Sequence, residues 1–481
     1  MDVQPPGRFE VVPVQSPADG PIAVELIPAP DPWEVARKLA HLPHLLFLDS
    51  AERHQERGRY SYAMAAPRTF ISANALDCAP FGLDSLIQSM LEERPTVGGL
   101  PPFQGGLAGL FGYGLGREFE RVPAPRTNDF GSPDLHLGVY DCLISFDHNQ
   151  NRAWIVSGGR ECEARLRETI RILNAGPVLL TALSPTPLAS LAPQFPLPGF
   201  PGVTSNFDRA GYEAAVAKVV EYIRAGDCYQ VNLSQRLLAP LREHPLELYG
   251  RLRQLNPAPF AAYYDLGEFQ ILSASPERFL KVENGEVETR PIKGTRPRGR
   301  TLEQDVALIA DLRSNPKDRA ENVMIVDLLR NDLGRVCEFG SVRVPKVCEL
   351  ETFQYVHHLV SEVRGKLRPD CGPLDLLRAS FPGGSVTGAP KVRAMEIIAE
   401  LEPTARGPYC GSLGFIGFDG AMDANILIRT FTAGRGWVQF PVGGGIVADS
   451  DPSREYEETL HKAAGMLRAL ERPPVATGGL E

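Results

Sequence analysis

The spacing of apolar and polar positions changes period several times along this chain, and each change predicts an element. Tyr212 to Arg224 reads as a helix, and Tyr229 to Ala239, alternating and β-branched, as a strand. Gln270 to Ile292 predicts a hairpin, because Asn284-Gly285 stands between two alternating apolar runs and supplies the positive φ angles that a two-residue turn needs. Its returning strand is expected to deliver Lys293 at a sheet end, with Glu277 on the first arm. Lys317 to Val336 fits a helix with Val323, Val326, Leu329 and Leu333 on one stripe. Asp451-Pro452-Ser453 begins another, packed through Tyr456, Leu460, Ala463, Leu467 and Leu470.

Before these elements, residues 1–173 read as strands and short helices with many turns. Residues 174–206, rich in proline, alanine, serine and leucine, suit an extended connector. The expected regions are therefore 1–173, the connector 174–206, a second region 207–472 and a flexible tail 473–481. A chain of 481 residues exceeds one ordinary core, so two lobes or one large composite fold are expected. The glycine-rich run Gly105 to Gly114 lacks the Lys-Ser/Thr ending and the helix of a phosphate-binding loop, and reads as a strand with tight turns.

Composition narrows the function classes. Apolar content of 43% and charged content of 23% are those of a soluble globular protein, and a net charge of -9 argues against nucleic-acid binding. No stretch approaches the roughly 18 uninterrupted apolar residues of a membrane helix, and no leader is evident, so a cytoplasmic protein is expected. The eight cysteines form no CxxC pair, and Cys228, Cys337 and Cys348 lie in apolar segments, which predicts reduced core thiols.

The chemistry concentrates in Arg290 to Gly299, where one lysine stands among arginines in a segment bounded by proline and glycine. Neighbouring cations or burial lower a lysine pKa and make its amine a nucleophile, and the arginines would suit a small carboxylate substrate. By itself the segment reads as readily as a solvated basic loop. On the helix from Lys317, Asp318 and Glu321 stand three apart, as do Glu455 and Glu458 on the helix from Pro452; facing pairs would offer oxygen ligands to a magnesium ion, whereas each pair alone reads as a solvated face.

Pro291-Ile292-Lys293-Gly294-Thr295-Arg296-Pro297-Arg298-Gly299 resembles the signature segment of the chorismate-utilising enzymes. Tyr229-Gln230-Val231-Asn232-Leu233, Ser275-Pro276-Glu277-Arg278-Phe279, Val326 to Gly334, His358-Leu359-Val360-Ser361, Gly388-Ala389-Pro390-Lys391 and Gly443 to Ser450 fit the same family in the same order, across about residues 207 to 470. The resemblance implies an α+β fold: a two-layer antiparallel β-sandwich with surrounding helices. It also implies Glu321 and Glu458 as Mg2+ ligands supported by Asp318 and Glu455, Glu277 as the general acid for a departing hydroxyl, and His358 beside the substrate. Arg429 and Tyr409 would hold the enolpyruvyl carboxylate, and Ser385, Lys391, Gly443, Gly444 and Gly445 the ring carboxylate.

Two positions discriminate among members. Isochorismate and salicylate synthases carry a lysine base where this chain has Gln230, and anthranilate synthases carry alanine where it has Lys293. Gln230 with Lys293 points to aminodeoxychorismate synthases, in which the lysine adds to C2 as the C4 hydroxyl leaves and ammonia then enters at C4, on the way to p-aminobenzoate and folate. An anthranilate synthase large subunit is the runner-up, and a non-catalytic tryptophan-sensing protein a third reading. Ser50, Arg59, Tyr60, Pro259, Phe260 and Ala261 resemble the family's tryptophan pocket. Nothing in these residues resembles a glutaminase, and no lyase module is expected after residue 481. Ammonia is therefore expected from a separate glutaminase subunit or from solution.

Overall fold

The computed structural model describes residues 9–17, 19–53, 57–74, 83–176, 180, 191–353 and 356–471. The expected tail 473–481 and residues 177–179 and 181–190 of the expected connector lie outside them. The described ends of the connector carry only the two-residue strands Phe195–Pro196 and Thr204–Ser205.

Two antiparallel sheets, of 14 and 10 strands, face each other. The first runs from Glu10–Val14 through other N-terminal strands to Leu46–Asp49, which pairs with Phe260–Asp265 and so continues into Phe269–Ser275, Thr430–Gly434, Trp437–Ile446 and Gln230–Pro240. The second starts at Ile292–Pro297 and passes through Val356–Lys366 and Arg278–Glu283 to Ser412–Gly417. There it meets the N-terminal strand Gly106–Phe111. Both sequence regions thus contribute strands to both sheets, and the fold is composite. Leu46, Tyr62, Leu110, Tyr140, Tyr264 and Phe415 meet in the buried layer between them.

The helices begin where side chains can satisfy their free N–H groups. Asp208 accepts from Gly211 N–H ahead of Arg209–Ala225, Asn315 from Asp318 N–H ahead of Pro316–Gly334, and Asp451 from Arg454 N–H ahead of Pro452–Leu470. Such a cap contributes about 1 kcal/mol. Among the described residues no helix is long and apolar enough to cross a membrane, and the seven described cysteines are free thiols.

Three expectations change. The hairpin is shorter than predicted: Arg278–Glu283 and Glu286–Thr289 flank Asn284 and Gly285, whose φ angles of 52° and 77° make the turn. Phe269–Ser275 belongs to the other sheet, so Glu277 sits where the chain crosses between layers and not on a hairpin arm. Val323 is 46% exposed, because the helix turns Asn322, Ile325, Val326, Leu329 and Leu333 inward instead.

Candidate active site

Lys293 lies on a strand, not in a loop. Ile292–Pro297 pairs with Val356–Lys366, but the register slips between Ile292 opposite Val360 and Thr295 opposite His358, leaving one extra residue on the lysine strand. Gly294, at φ 82°, supplies the left-handed conformation that such a bulge uses. The bulge re-aims Lys293, whose amine donates to the Ser385 carbonyl at 3.1 Å. Burial lowers its pKa, against the opposing pull of Glu321 and Glu277, and Lys462 lowers it further.

The arginines expected to activate it or to bind substrate are occupied. Arg290 pairs with Glu351 at 2.7 Å and Glu362 at 3.1 Å, Arg296 with Asp311 at 2.6 Å and Asp318 at 3.1 Å, and Arg298 with Asp305 at 3.0 Å. Burial replaces their expected role.

Glu277 is buried, and burial pushes its carboxyl up to about 7 in spite of Lys293, the Ser385 hydroxyl and the Ile292 N–H. It does not pair with Arg278, which bonds Glu288 and Asp423. A buried acid with its pKa near 7 beside an amine whose pKa burial lowers is an arrangement suited to acid–base work near neutrality. His358 bonds Thr295 through Nδ1 at 2.8 Å, and burial with nearby Arg429 and Arg57 drives its pKa down to about 3. It is therefore neutral at pH 7. Gln230 is buried with neither amide atom hydrogen-bonded, although a buried amide normally finds partners. Arg429, at φ 51°, has its pKa lowered by burial alone, so no carboxylate among the described residues offsets its charge. Held in a conformation unfavourable for a non-glycine residue, it is free to take an anion.

Carboxylates of the two acidic helices interact electrostatically, Glu321 with Glu458. Burial raises Glu321, with Asp318 and Glu458 adding and Lys293 and Lys317 opposing; burial likewise raises Glu455, against a 2.6 Å hydrogen bond from Ser450. For Glu458 burial pulls upward too, but Lys462 at 2.8 Å holds its carboxyl below the ordinary value. Asp318 is taken up by Arg296. Gly443, Gly444 and Gly445 are strand residues paired with Gln230–Pro240, not a turn. A Cβ at Gly444 would stand 3.3 Å from Glu455 and 3.4 Å from Glu458. Its absence leaves open volume between two carboxylates. Among the described residues no three acidic, histidine or cysteine side chains converge on one ion unaided. Carboxylate oxygens are the donors a magnesium ion would take, and water or substrate oxygens would have to complete such a shell.

Lys391 is not brought to the site: it donates to Asp332 at 2.8 Å and to the Ser380 carbonyl at 2.6 Å. Tyr409 is buried under Arg406, 5.7 Å from its ring centroid. The sequence reading missed Lys317, Lys462 and the buried pair Glu402–Arg406. Only the four-residue spacings Lys317 to Glu321, Glu402 to Arg406 and Glu458 to Lys462 could have signalled them. Ser50, Arg59, Tyr60, Pro259, Phe260 and Ala261 together line a cavity of about 400 Å³ reaching between the sheets.

A family model described as chorismate binding enzyme matches residues 44–468. Anthranilate synthase component 1 of Thermus thermophilus is 45% identical over 396 residues, 80% of this chain and 81% of that protein. Aminodeoxychorismate synthase component 1 of Klebsiella aerogenes is 41% identical over 448 residues, 90% of this chain and 95% of that protein. Among solved structures, anthranilate synthase component I from Streptococcus pneumoniae aligns with a TM-score of 0.74 at 33% identity, covering 86% of this chain and 94% of its own.

Proposed function

Because this chain belongs to the chorismate-binding enzyme family, and so is an enzyme acting on chorismate, we propose that it converts chorismate and ammonia to 4-amino-4-deoxychorismate through a covalent adduct on Lys293. The observation that carries this reading is the enclosed Lys293 amine, its pKa lowered by burial, beside Glu277 at about 7. The Nζ lone pair forms a bond to C2, the two conjugated ring double bonds each shift by one position (C1=C2 to C1=C6, C5=C6 to C4=C5), and the C4–O bond breaks with its electron pair as Glu277 donates the proton that makes water. Ammonia then bonds C4, both double bonds shift back, and the C2–N bond breaks to restore the lysine amine. The surplus ammonium proton returns to Glu277.

Glu321 and Glu458, with Glu455 behind them, would hold Mg2+, which when bound would clamp a substrate carboxylate and offset local negative charge. Arg429 would grip the enolpyruvyl carboxylate. His358, neutral and bonded to Thr295, positions and does not need to take a proton, which fits a reaction that keeps the enolpyruvyl group. Gln230, unpartnered, would offer its amide to the incoming ammonia or to the ring substituents. The relatives carry the name component 1, and a separate glutaminase component would supply the ammonia for a product leading to p-aminobenzoate and folate.

A second reading, anthranilate synthase component 1, is favoured by the 45% identity to the Thermus thermophilus protein. Product identification from chorismate, ammonia and magnesium separates the two. Lys293→Ala is expected to stop formation of 4-amino-4-deoxychorismate while chorismate still binds. Anthranilate as the main wild-type product, or an undiminished rate in the alanine variant, would refute the assignment.

A further inference from the structure

Ser385 touches both groups of the proposed acid–base pair. Its carbonyl accepts from the Lys293 amine at 3.1 Å, and its hydroxyl bonds the Glu277 carboxyl. Yet Ser385 lies in a single short turn, Gly384–Val386, followed by only the two-residue strand Gly388–Ala389. A turn that small does not fix its own position.

Arg406 ties it down. Its side chain is 2% exposed, and its planar fork reaches two separate segments at once: it donates to the Val386 carbonyl at 3.0 Å and to the Asn232 carbonyl at 2.5 Å. Glu402 takes its remaining donors at 2.9 Å and 2.7 Å, and the same carboxylate accepts from the N–H and hydroxyl of Ser234, each at 2.8 Å. The rings of Tyr113 and Tyr409 lie 4.7 Å and 5.7 Å from the guanidinium carbon. Asn232 N–H adds a bond of 2.8 Å to the Thr387 carbonyl, so the strand carrying Gln230 and the turn carrying Ser385 are laminated together. A buried ion pair contributes little net stability over an apolar replacement, whereas a planar fork holding two carbonyls specifies their relative position.

We propose that Arg406, held by Glu402, is a positioning residue: it locks the Ser385 turn against the Gln230 strand and thereby aims the Lys293 amine at C2 of the substrate. The inference rests on the amination reading above. A mis-aimed amine would slow the lysine route and leave C2 open to direct attack by ammonia or water. Arg406 therefore governs not only rate but which product forms.

Arg406→Lys keeps the charge and loses the fork. The expected result is a fall in kcat for 4-amino-4-deoxychorismate on the order of 100-fold, the cost of a misplacement near 1 Å. The chorismate dissociation constant, measured by calorimetry with magnesium and without ammonia, stays essentially unchanged. The fraction of C2-substituted product, separated by chromatography against standards, rises. Glu402→Gln keeps the Ser234 hydrogen bonds and loosens only the guanidinium, and should shift the product ratio the same way by less. Products that fall in parallel, or weaker chorismate binding that accounts for the lost rate, would overturn the inference while leaving the amination reading intact. Two variants that both fail to fold would overturn it too, by assigning the pair to the fold. A wild-type protein that makes no 4-amino-4-deoxychorismate would overturn the reading and the inference together.

Discussion

At Glu277 the cost of burying a carboxylate becomes a usable pKa. Its ordinary value is 4.5, and burial raises it to about 7, so the native state holds a proton that the unfolded chain has lost. The contribution of Glu277 to native stability is therefore greatest below about 4.5, declines as pH climbs from about 4.5 to about 7, and stays reduced above that, by about 3 kcal/mol. Glu277→Gln removes the slope: denaturant melts should find the variant more stable than wild type at pH 8 and nearly equal to it at pH 4. Catalysis should run the other way. As the acid of the proposed reaction, Glu277 must be protonated, so kcat/KM should fall as pH rises through about 7, and the glutamine variant should lose about 10²- to 10⁴-fold in kcat. A profile flat across neutrality would remove Glu277 from the acid role.

Two helices and one strand would form the proposed cation site. Pro316–Gly334 and Pro452–Leu470 carry Glu321, Glu455 and Glu458, and the glycine strand Trp437–Ile446 leaves room between the last two. Glu321→Gln or Glu458→Gln is expected to abolish magnesium-dependent turnover without unfolding the chain, and Gly444→Ala to raise the magnesium concentration needed for half-maximal rate. Full activity in excess chelator would exclude the ion. Lys391, by contrast, joins the helix Lys391–Leu401 to Asp332. Lys391→Met strands a buried carboxylate and should destabilise the fold by about 3 to 5 kcal/mol, read by chemical denaturation. The folded fraction should bind chorismate normally; a selective loss of chorismate affinity would return Lys391 to the substrate site.

The whole molecule is a pair of sheets shared by both halves of the chain, and the cavity lined by Ser50, Tyr60 and Phe260 lies where those halves meet. A cavity of about 400 Å³ lined both by apolar residues such as Phe260 and Ala261 and by charged ones such as Arg59, Arg278 and Glu288 falls in the range of small-molecule sites. Tryptophan is the expected occupant: its indole buries well while its charged ends find partners. Calorimetry should detect binding, or mass spectrometry a co-purified amino acid, and Phe260→Ala should weaken it. If neither method finds tryptophan, the six residues are a packing motif.

The sequence by itself determined the local elements and named the candidate reactive groups. Asp451-Pro452 and Asn284-Gly285 specify a helix start and a turn through their own backbone preferences, Glu277 and Lys293 lie in family segments, and the resemblance implies Glu321 and Glu458 beside them. Partnership was not legible, because charge pairing depends on residues distant in the chain. Arg290, Arg296 and Arg298 look available until Glu351, Asp318 and Asp305 occupy them. Lys391 looks like a ligand until Asp332 takes it, and Arg406 looks like a surface charge until it closes on Val386 and Asn232. Burial was equally hidden: only the tertiary structure withdraws Lys293 and Glu277 from water, and that desolvation, not the neighbouring arginines, shifts both toward neutrality.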